Sequence, residues 1–547
     1  MIIALPENYT RYDPDEVLKE FTEKFKGLYG VECTSALHYN KTKTNYHIHL
    51  IFSERRLLET PDNKIATRAV YFDEAGKRVR TKKEITGEDG LECSEVLYSS
   101  AEENKDFRVD SQFYTMAIDR NIKLEYCPIG RYLISTQYGV SKDMNADGYG
   151  YPIYRMNEIH YSLCDLTTEK YVELTSEEFE AVKLNSRDVL FNRTNSFELV
   201  GRTGVYYDSG IPQTFASYLV RLIPDNIHIY SEYLAAFLST RFGIQEIRRR
   251  ARQSINQTNV NPEEVKAIEI PLLKREFQEA IRKCYEKAHQ LRKNSAKKYI
   301  EADAILAQKT GIDKTTADDA TAIKTLSASF ATSGRLDAEY YQPKYEAITQ
   351  KLNARETVLS LCNLYDKNFN PNEKKTYQYI ELADVGQSGD ISDVGIQYGS
   401  DLPTRARRIV KSGQIIVSSV EGSLQSCALI TDEYDGALCS TGFYVLDSNY
   451  INSETLLVLF KSEPIQALMK QRCSGTILTA ISKDELLSMP LPMIDEGIQT
   501  EIATKVQESF AFRKQSKQLL EYAKRAVEMA IEQGEDVAME WLKDKVN

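Results

Sequence analysis

The sequence predicts an α+β protein: two repeated bodies of mixed, β-rich α/β character, each followed by a long helix, with a small α+β module in front. Three observations predict this. The chain carries a long, diverged internal repeat; each copy closes with a helical apolar stripe; and residues 1–105 take no part in the repetition. The expected boundaries are 1–105, 106–271 for the first body, 272–308 for its helix, 309–333 for a linker, 334–493 for the second body and 494–545 for the second helix.

The repeat keeps its order. RVDSQFY from Arg108 returns as RLDAEYY from Arg335, 227 residues later. LNSRDVLFNRTNS from Leu184 returns as VKSGQIIVSSVEGS from Val410, and SEYLAAFLST from Ser231 as SETLLVLFKS from Ser453. The last match, IPLLKREFQEAI with LPMIDEGIQTEI, pairs Gln278 with Gln499 and Ile281 with Ile502 at an offset of 221. A slowly shrinking offset is what small loop deletions produce. Within each body, short runs of Val, Ile, Tyr and Phe are bounded by Gly, Asn, Asp and Ser, which is strand-and-turn grammar. After Pro271 and Pro492 the period changes. Apolar residues then fall at Leu273, Phe277, Ala280, Cys284, Ala288 and Leu291, and at Ile498, Ile502, Val506 and Phe510, in steps of three and four that trace one face of a helix. Two such helices can satisfy each other as an antiparallel coiled coil. The linker, rich in Thr, Ala, Ser and Asp, has little periodicity.

Composition bounds the function. With 42% hydrophobic and 27% charged residues in 547, the chain is globular, and no apolar run reaches the length a membrane helix needs. Nine scattered cysteines without a CxxC pair predict reduced thiols and a cytoplasmic protein. A net charge of −11 argues against a non-specific nucleic-acid coat. It leaves room for local patches, and two exist: Arg248, Arg249, Arg250 and Arg252, and Arg405, Arg407, Arg408 and Lys411. No GxGxxG, P-loop or GxSxG occurs, and His160, His228 and His289 stand apart from one another, so these domains offer no catalytic constellation.

On these residues, the RxDxxxY lead-ins, the DVLFNRTNS and QIIVSSVEGS segments, QSINQTNVNPEEVKAIEIPL and the Pro-then-Gln-x-x-Ile helix starts, the chain from about 106 to 545 resembles the specificity subunit of type I restriction-modification systems. The resemblance implies two target recognition domains that each read half of a bipartite, asymmetric double-stranded DNA site. It implies long helices that space the halves and dock methyltransferase subunits, and, where one accompanies them, a restriction subunit. S-adenosylmethionine would belong to the methyltransferase partner, and no cofactor to these domains. The residue chemistry agrees. Base edges are read by Arg and by neutral hydrogen-bonding side chains. Arg193, Thr194 and Asn195 with Arg202 offer that set, as do Ser254, Asn256, Gln257 and Thr258 beside Arg249 and Arg250. In the second body the candidates are Arg405, Arg407, Arg408, Ser418, Ser419, Ser423, Ser474 and Thr476. The two sets differ in chemistry, so different half-sites are expected.

The first 105 residues hold the dense histidines. In a strand His47 and His49 fall on one face, and His38 lies in a neighbouring strand-like run; three imidazoles suit a divalent metal that polarises a phosphate. IALPENYT, ALHYNKTKTNYHIHLIFSER and YFDEAGKRVRTKKEI resemble the MobA/MobL type of mobilisation relaxase, which implies a metal site at His38, His47 and His49. The family's nucleophilic tyrosine precedes the ALP-containing strand, and Tyr9, Tyr12 and Tyr29 do not match its place. The expectation is a truncated, relaxase-like module without tyrosine-linked nicking. The alternative is a metal-dependent nicking enzyme targeted by the repeated domains.

Overall fold

In the computed structural model, residues 120–547 are described except 255–256, 312–320, 393, 476–478 and 547. Of the first 119 residues the structure describes mainly the short elements named below. The chain divides into two compact units, Met1–Ala117 and Ile118–Asn547.

In the first unit, β1 (Ile2–Ala4), β2 (Glu32–His38) and β3 (His47–Ser53) form an antiparallel sheet in the order β1-β3-β2. Helix α1 (Pro14–Tyr29) starts where Asp13 Oδ1 accepts from the backbone N–H groups of Asp15 and Glu16, with Pro14 in the first turn. Its Val17 and Phe25 are buried. Strand Ala69–Phe72 pairs with Arg78–Val79 and with Cys93–Ser94.

The second unit is mixed α and β. Its first body is built on β4 (Leu133–Tyr138), β5 (Val189–Asn192), β6 (Thr203–Val205) and β7 (Leu219–Pro224), in the spatial order β4-β7-β5-β6. Helices α2 (Ser231–Ser239) and α3 (Arg241–Arg250) follow. Then comes α4 (Arg275–Thr310), 36 residues long, stopped by Gly311 in the left-handed region at φ 68°. The second body is built on β8 (Asn363–Tyr365), β9 (Ile415–Ser418), β10 (Cys427–Leu429) and β11 (Phe443–Asp447), in the order β8-β11-β9-β10. Helices α5 (Ser453–Lys461) and α6 (Glu463–Arg472) follow, and then the 38-residue α7 (Glu496–Gln533). The single helix expected to run to 545 is broken at Gly534, where φ is 103°, and α8 (Glu535–Val546) packs back with Trp541 edge-on to Tyr522.

The central strands β5 and β9 are buried at every position, and apolar over their first three residues, because both faces are covered. On β5, Val189 and Phe191 join the core shared with the helices, while Leu190 joins a second cluster with Phe215 and Leu219. On β9, Ile415 and Val417 face the helices and Ile416 faces the cluster of Ile380 and Phe443.

The long helices run in opposite directions. Ser516 Oγ donates to the Ala288 carbonyl at 2.8 Å, Lys298 pairs with Glu508 at 2.7 Å, and Lys505 pairs with Glu301 at 3.0 Å. Each body therefore rests on the start of its own helix and the end of the other. The first core joins Phe277 and Ile281 of α4 to Val527 and Ile531 of α7, and the second joins Ile502 and Val506 of α7 to Ala302 and Leu306 of α4.

Candidate nucleic-acid interface

In the first body, the two polar segments singled out in the sequence lie in one ribbon. Strand Thr194–Asn195 pairs antiparallel with Thr258–Asn259, which pairs in turn with Arg252–Gln253. Thr194 is buried and its hydroxyl donates to Asn259 Oδ1 at 2.6 Å; Thr258 is buried as well. Asn195 accepts from the Ser196 N–H. Ser254 and Gln257, both exposed, form the turn of the ribbon, with the Ser254 hydroxyl on the Gln257 carbonyl. Asn256 lies outside the described residues. Arg193 lays its guanidinium over Tyr138 and donates to the Ser217 carbonyl, and Arg202 is half-buried.

Arg250 turns inward: it pairs with Glu246 at 2.6 Å, donates to the Ala267 carbonyl and faces Glu264. That engagement ties α3 to the segment before Pro271 and explains the burial of the side chain, 8% exposed. Arg249 is half-buried and Arg252 is exposed, 3.7 Å from Glu264.

The second body also has a short ribbon, with other side chains. Strand Cys473–Ser474 pairs with Ala480–Ile481, and the Ile481 N–H donates to the Ser419 carbonyl at 2.8 Å. Ser418 is buried with its hydroxyl 3.1 Å from that of Ser423, whereas Ser474 is exposed. Thr476 lies outside the described residues. Arg405, Arg407 and Arg408 sit at or on the strand Ala406–Ile409 of a neighbouring sheet. Arg405 reaches Glu381, Arg407 donates to Asn370 Oδ1, and Arg408 donates to the Phe443 carbonyl beneath Tyr444. Burial pushes the Cys473 thiol up to about 11, so it is protonated at neutral pH and is a poor nucleophile.

Positions 38, 47 and 49 come together in the backbone: the register sets His38 opposite His47, and His49 lies two residues further along β3. Their side chains lie outside the described residues.

Sequence reasoning missed the polar contacts between bodies and helices. Arg292 of α4 bonds the His160 carbonyl and Asp165, and Arg513 of α7 bonds Asp390. The available signal was the offset: Arg292 and Arg513 stand 221 residues apart, like Gln278 and Gln499.

Two classes of protein are similar to parts of this chain. Residues 1–119 match the MobA/MobL family. A Methanocaldococcus jannaschii protein named as the specificity subunit of the type I restriction enzyme MjaX is 30% identical over 148 residues, which is 26% of this chain and 34% of that protein. The chain thus matches about a third of the length of this curated relative. Among solved structures, the HsdS subunit from Thermoanaerobacter tengcongensis is 13% identical, with 76% of this chain and 98% of that chain covered and a TM-score of 0.26. The type I restriction-modification S subunit from M. genitalium is 12% identical, with 76% and 97% covered and a TM-score of 0.31. No helix among the described residues is long and apolar enough to cross a membrane.

Proposed function

We propose that residues 118–547 are the sequence-specificity subunit of a type I restriction-modification system, with no chemistry of its own. Each body is a target recognition domain, the two are repeats, and α4 and α7 pack as an antiparallel coiled coil that spaces two half-sites of a bipartite, asymmetric DNA sequence. The observation that carries this is the recurrence of one strand order, β4-β7-β5-β6 and β8-β11-β9-β10, with a short antiparallel ribbon beside each sheet, on two long helices of opposite direction. The 30% identity to a specificity subunit supports it. The ribbons carry different groups, Asn and Thr in one and Ser in the other, so the half-sites differ. Methyltransferase subunits, which bind S-adenosylmethionine, and a restriction subunit dock on the assembly.

Mapping modified adenines genome-wide, in a host that carries the neighbouring methyltransferase gene, tests this. A split motif present only when the chain is expressed is the expected result. A contiguous motif, or modification independent of the chain, overturns it.

For the N-terminal unit, the MobA/MobL match favours a relaxase-like module with a divalent metal at His38, His47 and His49. The strand register supports it by bringing the three positions together. Mn²⁺ binding to the full chain, measured by calorimetry and lost in His47→Ala with His49→Ala, is the test; binding that survives both substitutions rejects the site, and relaxation of supercoiled plasmid that both abolish would favour the nicking alternative instead.

A further inference from the structure

Midway along each long helix an arginine reaches a hairpin of that helix's own body. Arg292 sends Nη2 to the His160 carbonyl at 2.7 Å and Nη1 to Asp165 Oδ1 at 3.4 Å. Asp165 closes a hairpin, its N–H donating to the Glu158 carbonyl, and its other oxygen lies 3.0 Å from His160 Nδ1. Arg513 bonds Asp390 Oδ2. Asp390 sits in the corresponding hairpin of the second body, closed by the Ser392 N–H on the Asp384 carbonyl. The two acids occupy different points of their hairpins, so one device is reached by two local geometries. The side chains of Arg292 and Asp390 are each 11% exposed. Burial pushes the Asp165 carboxyl up, but His160 and then Arg292 outweigh it and hold the group below the usual carboxylate range.

The two bodies also meet each other along this seam. Thr167 Oγ1 donates to Gln387 Oε1. Lys517 of α7 lies 5.0 Å from the Tyr161 ring centroid in the first body and 3.5 Å from Glu433 in the second. Behind these contacts is a cavity of about 520 Å³, lined by both hairpins and both long helices. Close-packed apolar surface therefore does not fill the seam, and directional charged contacts span it. Each body has an apolar anchorage, through α2 or α5 in the cores shared with the long helices and pinned by polar bonds such as those of Gln278 and Gln499, and a separate polar tether at its hairpin. A single anchorage leaves a body free to rock; a second point fixes its direction.

Resting on the specificity-subunit reading, we propose that Arg292 and Arg513 are positioning residues: they lock the two bodies at one relative orientation, so that only half-sites at the matched separation meet both ribbons. Neither residue touches DNA in this scheme. The test uses the full chain with nitroxide labels at Glu177→Cys and Lys374→Cys, exposed positions on the two bodies. Pulsed EPR reads the distance distribution between them. A narrow distribution is expected in the labelled parent, and a broadened one after Arg292→Gln with Arg513→Gln. Reversing one pair, Arg513→Asp with Asp390→Arg, should narrow it again, which a loss of general stability would not do. On DNA, the double Gln variant should lose roughly tenfold of its preference for the correct spacer over one longer by a base pair. A distribution that superimposes on the parent's overturns the proposal. If the double Gln variant does not fold, Arg513→Gln alone is read by the same two measures. If the parent shows no split-site preference, the specificity reading fails, and the EPR distances still decide whether the arginines position the bodies.

Discussion

Gln278 and Gln499 make the same three hydrogen bonds in the two halves of the protein. Gln278 Oε1 accepts from the Tyr230 N–H at 2.9 Å, and its Nε2 donates to the carbonyls of His228 and Leu273, both at 3.0 Å. Gln499 Oε1 accepts from the Asn452 N–H at 2.7 Å, and its Nε2 donates to the carbonyls of Tyr450 and Ile494, both at 2.9 Å. Tyr230 and Asn452 are the residues that open α2 and α5, so each glutamine fastens the start of a long helix to the start of the short helix packed on it. Both side chains are buried. Replacing either by Ala strands backbone groups where water does not reach, and should cost about 2–3 kcal/mol. Urea unfolding of Gln278→Ala and Gln499→Ala checks this, and losses below about 0.5 kcal/mol would show that the bonds are dispensable.

The crossing of α4 and α7 is set by two serines. Ser295 and Ser509 are fully buried, with hydroxyls 3.0 Å apart, and Ser509 also donates to the Ser295 carbonyl at 2.8 Å. A larger side chain has to push the helices apart. Ser509→Leu should destabilise the chain by about 1–3 kcal/mol through overpacking. Calorimetry should show a lowered midpoint, and an unchanged one would mean that the helices separate at no cost.

Glu232 is wholly buried, and its carboxyl group accepts from Arg187 at 2.7 and 2.9 Å and from the Tyr207 hydroxyl at 2.9 Å. Removing the arginine leaves an uncompensated buried carboxylate. Arg187→Ala should cost toward the lower end of about 3–5 kcal/mol, because Arg187 itself keeps some contact with solvent. The double variant with Glu232→Gln should recover part of the loss in a denaturation cycle. No recovery would assign the loss to packing.

The His289 ring lies tilted against that of Tyr207, centroids 4.7 Å apart, and burial, then Lys293 and Arg292, lower its pKa from 6.5 to about 4. A folded-state value below the unfolded one means that, between these limits, the unfolded chain binds a proton that the folded chain refuses. The contribution is full above about pH 6.5 and is lost as pH falls toward 4. Subtracting the denaturation midpoints of His289→Gln from those of the parent across pH 4–8 should leave a difference that changes only in that window. A flat difference would place the imidazole in water.

Much of this architecture was legible in the sequence, for identifiable reasons. The pairing of Gln278 with Gln499 was readable because a helix start joined to a buried loop tolerates few side chains. The covered strands were readable as VLF and IIV, since burial on both faces writes an unbroken apolar run. The break at Gly534 was not, because apolar residues continue in helical steps on both sides of it. Nor did the sequence separate the roles of neighbouring arginines. Arg249 and Arg250 are identical as letters, and the pairing of Arg250 with Glu246 and Glu264 exists only once folding brings those carboxylates in.

That distinction makes a paired test. Arg250 is held by Glu246, Glu264 and the Ala267 carbonyl, so its charge is matched within the protein. Arg249, one residue away, is half-buried at the end of α3, beside the ribbon that begins at Arg252. If the ribbon faces DNA, Arg249 contributes to the phosphate field, and Arg249→Ala should weaken binding to all sequences alike and reduce the salt slope of log K by about 1. Arg250→Ala should leave the salt slope unchanged and lower stability by about 3 kcal/mol, the low end for a broken buried pair, since Glu246 keeps Arg120 at 2.7 Å. Binding titrations at several salt concentrations, with thermal unfolding of the same samples, separate the two. An unchanged slope for Arg249→Ala, or a reduced one for a folded Arg250→Ala, would place the phosphate contacts elsewhere.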